Sequence, residues 1–236
     1  MRQAIVLCGG RGERLRSVVD DRPKVLATVN GVAFLGFVLE RLVDAGMQRI
    51  VLSTGYLASM IADYVEARGD WGAELICIEE SAPLGTGGAL LYAAHRAGID
   101  GPFLALNGDT WFDGDLASLD RCHQASGFSA TLSLCAVEDA SRYGAVVFDE
   151  DEQRVLEFRE KDAGVGAAWI NAGQYMLETK IFAGRSPGQS FSLERDVLPG
   201  QIAAGVGVVA YDHANFLDIG TPEDYARAAQ LFDHEA

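Results

Sequence analysis

The sequence is short of positive charge. Its 19 lysines and arginines face 34 aspartates and glutamates, leaving a formal net charge of −15 over 236 residues. That field repels nucleic acid and anionic bilayers, so neither is expected as a partner. A small phosphorylated ligand stays admissible, because a few cations converging in one cleft can outweigh a distant surplus of acid. Cysteine is sparse as well: Cys8, Cys77, Cys122 and Cys135 form no CxxC pair and no zinc-spaced Cys/His cluster. Free thiols of this kind suit a reducing compartment, and a cytoplasmic location is the expectation. No apolar run approaches the ~20 residues of a membrane span, and the apolar part of MRQAIVLCGG is too short for a signal peptide. Histidine chemistry is also missing. His95 and His123 fall in predicted helices, His213 and His234 stand in polar surroundings, and no Ser/His/Asp set emerges.

Nearly half the residues are apolar, enough for a substantial core. Gln3 to Cys8 reads as a buried strand that breaks into glycines, and Ala33 to Ala45 has helical spacing with Gly46 as a stop. Strands at Arg49 to Ser53, Glu74 to Ile78 and Pro102 to Leu106 then alternate with helices at Ala58 to Arg68 and Gly87 to Ala97. Such alternation predicts βαβ units and a mainly parallel sheet covered on both faces. After about residue 128 the pattern turns strand-rich, through Ser129 to Val137, Ala145 to Phe148, Arg154 to Phe158 and Ala168 to Met176. Ser192 to Leu198 and Pro222 to Phe232 read as helices, the second capped by Thr221. With no repeat or linker, the expectation is a single domain over 1–236 with two subregions, 1–128 and 129–236.

The first strand runs into LCGGRGERLRSVVDDRPKVL, from Leu7 to Leu26. Gly9, Gly10 and Gly12 let backbone amides approach a ligand, while Arg14 and Lys24 add the cations a triphosphate needs. This is no dinucleotide loop, since Leu15 stands where GxGxxG wants its third glycine, and no GK[ST] follows. A second glycine turn, LGTGGAL, carries Gly85, Gly87 and Gly88, which suit close packing against a flat ring; taken alone it could be a helix start capped by Thr86. Asn107-Gly108-Asp109 ends an apolar strand, which aims a carboxylate into the crevice where parallel sheets bind ligands. Asp109 is therefore a candidate Mg²⁺ ligand.

These segments resemble the signature of sugar-phosphate nucleotidyltransferases, GGxGxRL followed by PKxL, at Gly9, Gly10, Gly12, Arg14, Leu15, Pro23, Lys24 and Leu26. Glu13 departs from the threonine many members carry there. The resemblance covers essentially the whole chain. It implies an α/β fold, a Rossmann-like three-layer α/β/α with a mixed, mainly parallel central sheet of the nucleotide-diphospho-sugar transferase type. It implies transfer of a nucleotidyl group to a sugar 1-phosphate with release of pyrophosphate, with Arg14 and Lys24 as catalytic residues. Nucleotide binding falls to Leu7, Gly9, Gly10, Gly12, Glu80, Gly85, Thr86, Asn107 and Gly108, and Mg²⁺ to Asp109 and to Asp218 of a DxGTP segment. The acceptor would meet Gly144 of RYG, Glu160 and Lys161 of FREK, Asn171 of NAG, and Glu194 of SLE. Glu80 as an acceptor for the neighbouring N1–H and N2–H of guanine favours GTP. Within the family, the short length, LGTGGAL and NGDTWFD are most similar to heptose 1-phosphate guanylyltransferases, which make GDP-heptose for surface polysaccharides. Mannose guanylyltransferases, uridylyl- or thymidylyltransferases, and a non-catalytic nucleotide-sugar sensor are the alternatives.

Overall fold

Strand β1 (Gln3–Leu7) sets the layers of the computed structural model, which describes residues 2–10, 12–159 and 166–233. Glu160 and Lys161 lie outside the described residues. Side chains alternate across a strand, so Ala4 and Val6 join one apolar cluster and Ile5 the other, all three fully buried. After β1 the chain makes a small hairpin, β2 (Thr28–Val29) and β3 (Val32–Ala33), then helix α1 (Phe34–Asp44). Strand β4 (Arg49–Thr54), α2 (Ala58–Arg68), β5 (Glu74–Glu79), α3 (Gly85–Ala97) and β6 (Phe103–Asn107) complete the βαβ half. Helix α1 buries Phe34, Leu35, Val38, Leu39 and Leu42 on one stripe, each contributing about 1.5–3 kcal/mol. It stops where expected. Gly46, at φ 82°, donates to the Val43 carbonyl and Met47 to that of Leu42, the paired bonds of a Schellman cap.

The second half adds β7 (Thr110–Phe112), α4 (Leu116–Ser126), β8 (Ala130–Val137), β9 (Ala145–Asp149), β10 (Arg154–Arg159) and β11 (Ala168–Leu177). It ends with α5 (Leu193–Asp196), α6 (Leu198–Gln201), β12 (Gly207–Tyr211), β13 (Phe216–Asp218) and α7 (Pro222–Leu231). One nine-stranded sheet runs through both halves in the order β5-β4-β1-β6-β11-β8-β12-β10-β9. It is mixed, as expected. The run β5-β4-β1-β6 is parallel, as is β8 with β12, and the remaining pairings are antiparallel. One face carries α1, α2, α4 and α7, the other α3, α5 and α6.

The helix expected over Ser192 to Leu198 is broken at Val197 into α5 and α6. Pro199 has no N–H to donate to the carbonyl four residues back, and its ring disfavours helical geometry just before it. At α7 the expectation holds: Thr221 accepts from the Asp224 amide, with proline at the helix start.

Candidate active site

The order in which strands join the sheet reverses at β1, with β4 and β5 added on one side of it and β6 on the other. That switch point opens a crevice at the carboxyl ends of the strands, and there Leu7 lies beside Asn107. Gly108 donates to the Leu7 carbonyl at 2.9 Å, fixing the two strand ends and the loops that leave them. A short antiparallel pair, β7 with β13, sets Asp218 opposite Thr110, and Ile219 donates to the Asp109 carbonyl at 3.1 Å. This pair brings together two carboxylates from opposite halves of the sequence.

Lys24 stands between them. Its Nζ lies 2.5 Å from Asp109 Oδ2 and 3.4 Å from Asp218 Oδ1, with the lysine side chain only 11% exposed. Burial works against the Lys24 charge, but the two carboxylates outweigh it and hold the ammonium above its usual pKa. Asp218 is pushed up, first by burial and then by the Asp109 charge, with Lys24 and Arg14 pulling the other way. Arg14, exposed on the turn after Gly12, brings its Nη2 up to Gly220, next to Asp218. Glu13 is exposed on the same turn.

Two clefts open near these strand ends, one walled by Leu7 and the other by its neighbour Asn107. The first, about 230 Å³, is walled by Leu7, Gly9, Gly10, Glu80, Gly85 and Thr86 among others. Gly10 faces open space: a Cβ built on it meets nothing within 4 Å. Glu80 is held in the wall, its Oε1 accepting from Ser53 Oγ at 3.0 Å and its Oε2 from the Leu84 amide at 3.2 Å. Burial raises its carboxyl above the usual range, and those two bonds pull it back in part. The second cleft, about 430 Å³, brings together Asn107, Gly144, Asn171 and Glu194. Asn107, expected on the nucleotide side, lines this second cleft and not the first, although it pairs with Leu7 of the first.

The turn LGTGGAL is shaped by the protein itself. A Cβ on Gly88 would lie 2.3 Å from the Gln189 carbonyl oxygen, and one on Gly87 2.5 Å from the Phe191 ring. The Gly87 and Gly88 amides both donate to the Phe191 carbonyl at 3.1 Å, and Phe191 donates to that of Leu84 at 2.9 Å. Close packing against a flat base is therefore not what excludes side chains at these two positions. Thr86 does not cap α3 either. Its hydroxyl donates to Glu194 Oε2 at 2.6 Å and accepts from the Leu193 amide at 2.9 Å. Glu194 also accepts from Ser192 Oγ at 2.9 Å and Tyr175 OH at 3.0 Å. Tyr175 escapes a reading of the sequence. Residues four apart on a regular strand lie far apart, but an irregularity between Asn171 and Tyr175 brings Asn171 Nδ2 to 2.9 Å from the Tyr175 hydroxyl. Gly173, at φ 73° within it, was the available signal.

A glycine loop and a cation between two carboxylates, placed at the carboxyl ends of the strands by a sheet's switch point, suit phosphoryl chemistry on a nucleotide. The chain belongs to the nucleotidyl transferase family, whose model matches residues 3–235. It is 35% identical to the D-glycero-alpha-D-manno-heptose 1-phosphate guanylyltransferase of Aneurinibacillus thermoaerophilus, over 98% of this chain and 99% of that one. It is 34% identical to the mannose-1-phosphate guanylyltransferase of Mycobacterium tuberculosis, over 96% of this chain and 63% of that one. Among solved structures, HddC from Yersinia pseudotuberculosis complexed with GMP-PN superposes with a TM-score of 0.85 at 35% identity, over 98% of this chain and all of that one. Among the described residues, no helix is long and apolar enough to cross a membrane. No group of three or more His, Cys, Asp or Glu residues placed to hold a metal occurs among them either.

Proposed function

We propose that the protein transfers GMP from GTP to D-glycero-alpha-D-manno-heptose 1-phosphate, releasing pyrophosphate and forming GDP-heptose for surface polysaccharide synthesis. The observation that carries this reading is Lys24 set between Asp109 and Asp218, beyond the carboxyl end of β6. The relatives named as heptose 1-phosphate guanylyltransferases match over nearly their whole length, which favours the heptose over mannose. The glycine-loop cleft takes the nucleotide, and the cleft of Asn107, Gly144, Asn171 and Glu194 takes the sugar phosphate. Residues 1–128 and 129–236 act as the nucleotide and acceptor parts of one catalytic unit. Four free cysteines support a cytoplasmic location.

The acceptor's phosphate oxygen forms a bond to the α-phosphorus of GTP as the bond to the β-phosphate oxygen breaks. Pyrophosphate leaves with that electron pair. A phosphate dianion is nucleophilic at neutral pH, so no general base is required, and catalysis rests on positioning and charge. Lys24 neutralises the α-phosphate or the incoming one, and Arg14 the departing pyrophosphate. Amides of the loop at Gly9, Gly10 and Gly12 receive phosphate oxygens.

Asp109 and Asp218 fit a magnesium site. They are two oxygen donors brought together around one cation, Lys24, and the Asp218 carboxyl is pushed up by burial and then by its neighbour's charge. Phosphate oxygens and water would complete the coordination, as is usual for this ion. Bound there, Mg²⁺ would supply charge neutralisation across the phosphates. Glu80 has an acceptor position left on each oxygen, which suits the N1–H and N2–H pair of guanine. Lys161 and Glu160 are proposed acceptor contacts on the resemblance alone.

The test is pyrophosphate release with Mg²⁺ across GTP, UTP, dTTP, CTP and ATP against heptose, mannose, glucose and N-acetylglucosamine 1-phosphates. Preference for GTP with the heptose phosphate supports the reading. Preference for another pair removes the assignment of base or sugar.

A further inference from the structure

The two clefts are joined by a run of hydrogen bonds whose polarity can be worked out atom by atom. A carboxylate only accepts, so the hydroxyls of Thr86, Ser192 and Tyr175 must all donate to Glu194. Tyr175 has one proton. With it given to Glu194, its oxygen must accept from Asn171, which fixes the Asn171 amide with Nδ2 towards the tyrosine. The other end agrees, because Asn171 Oδ1 accepts from the Gly173 amide at 3.0 Å. The Thr86 hydroxyl is spent in the same way, donating to Glu194 and accepting from Leu193. Tyr175 is 1% exposed and buried against α5, so no water replaces it in this role.

We propose that Tyr175 is a positioning residue that transmits the placement of Glu194 by Thr86 to Asn171, so that the nucleotide turn builds the acceptor cleft's reading edge. The inference rests on the second cleft being the acceptor site. Of roughly four acceptor positions on the Glu194 carboxylate three are taken, and one of the two Asn171 amide protons is used. What the pair offers is one acceptor beside one donor. That edge selects a sugar hydroxyl, or two neighbouring ones, able to donate to Glu194 and accept from Asn171. Thr86, although in the nucleotide turn, acts on the sugar.

The test is steady-state kinetics of Tyr175→Phe, Thr86→Val, Thr86→Ser and the Tyr175→Phe/Thr86→Val double variant, varying each substrate, with thermal melting alongside. Tyr175→Phe and Thr86→Val are each expected to raise the KM for the sugar 1-phosphate about tenfold, equivalent to ~1.4 kcal/mol. For Tyr175→Phe, which lies outside the nucleotide cleft, the KM for the nucleotide should stay within twofold. Thr86→Ser keeps the hydroxyl and should stay near the wild type. Because both changes act through Glu194, the double variant should fall well short of the product of the single effects. An unchanged acceptor KM, a shift in nucleotide KM instead, or fully multiplicative effects would overturn the proposal. A wild type that makes no nucleotide sugar with any pair would instead count against the proposed function. Melting separates the readings further: a purely structural role would lower stability without splitting the two KM values.

Discussion

Gly88→Ala puts opposite signs on two accounts of the glycine turn. Gly88 lies in the first turn of α3 and outside the left-handed region. In open space, alanine there would stabilise the protein by about 1 kcal/mol through helix propensity. The space is not open: the new Cβ would sit 2.3 Å from the Gln189 carbonyl oxygen and 3.2 Å from Leu84 Cβ. The first contact is with backbone, so the Gln189–Leu193 segment must retreat by about an ångström. Overpacking of this kind costs about 1–3 kcal/mol, and loosening the Gly87 and Gly88 bonds to the Phe191 carbonyl adds about 1 kcal/mol. Against a propensity gain of about 1 kcal/mol, the net loss is about 2 kcal/mol. For a chain of this length that lowers Tm by roughly 4–8 °C. Differential scanning calorimetry without substrates reads it directly. Moving this segment also moves Glu194, so the acceptor KM should rise more than the nucleotide KM. An unchanged or raised Tm would refute the packing argument and return the glycine to the service of the ligand.

Gly10→Ala is the companion change and should behave the other way. A Cβ there meets nothing within 4 Å, so Tm should hold or rise while the KM for GTP increases at least tenfold, as substrate-saturation curves would register. Lys24→Met and Asp218→Asn remove charge from the reacting centre and are each expected to lower kcat by about 10²- to 10³-fold; near-wild-type turnover in either would contradict its role. Glu80→Gln places a donor where guanine needs an acceptor, so the GTP over UTP preference in kcat/KM should fall at least tenfold, and a preserved ratio would remove Glu80 from base recognition. His123 is buried against Thr131, and burial lowers its pKa despite Glu178 nearby. The unfolded chain therefore takes up that proton first as pH falls. The histidine's contribution is complete above about pH 6.5 and is lost as pH falls through the lowered folded value. Melting curves from pH 8 to 5 should show this slope in the wild type and a flatter one in His123→Gln.

The βαβ half was legible because its signals are local. Apolar runs ending in glycine mark β1 and its loop, and helical spacing followed by Gly46 marks α1 with its cap. Asp109 and Asp218 are visible as motifs, but their meeting depends on β7 and β13, two three-residue strands pairing across a hundred residues of sequence. No periodicity in so few residues announces such a pairing. Pro199 marks the break between α5 and α6, but the apolar pattern runs on through it and reads as one helix. The partners of Gly87, Gly88 and Thr86 come from a segment about a hundred residues further on, so a turn suited to a flat base could not be told from one packed by its own chain. Tyr175 was hidden for a related reason: only the irregularity around Gly173 puts it beside Asn171.

The most direct test of the account is ³¹P NMR of the wild-type protein with Mg²⁺, GTP and D-glycero-alpha-D-manno-heptose 1-phosphate. The account predicts that the sugar phosphate resonance disappears as two diphosphate resonances of a nucleotide sugar grow, matched by one equivalent of pyrophosphate. Pyrophosphate with free GMP and intact sugar phosphate, or unchanged substrates beside product from another nucleotide and sugar pair, would contradict it.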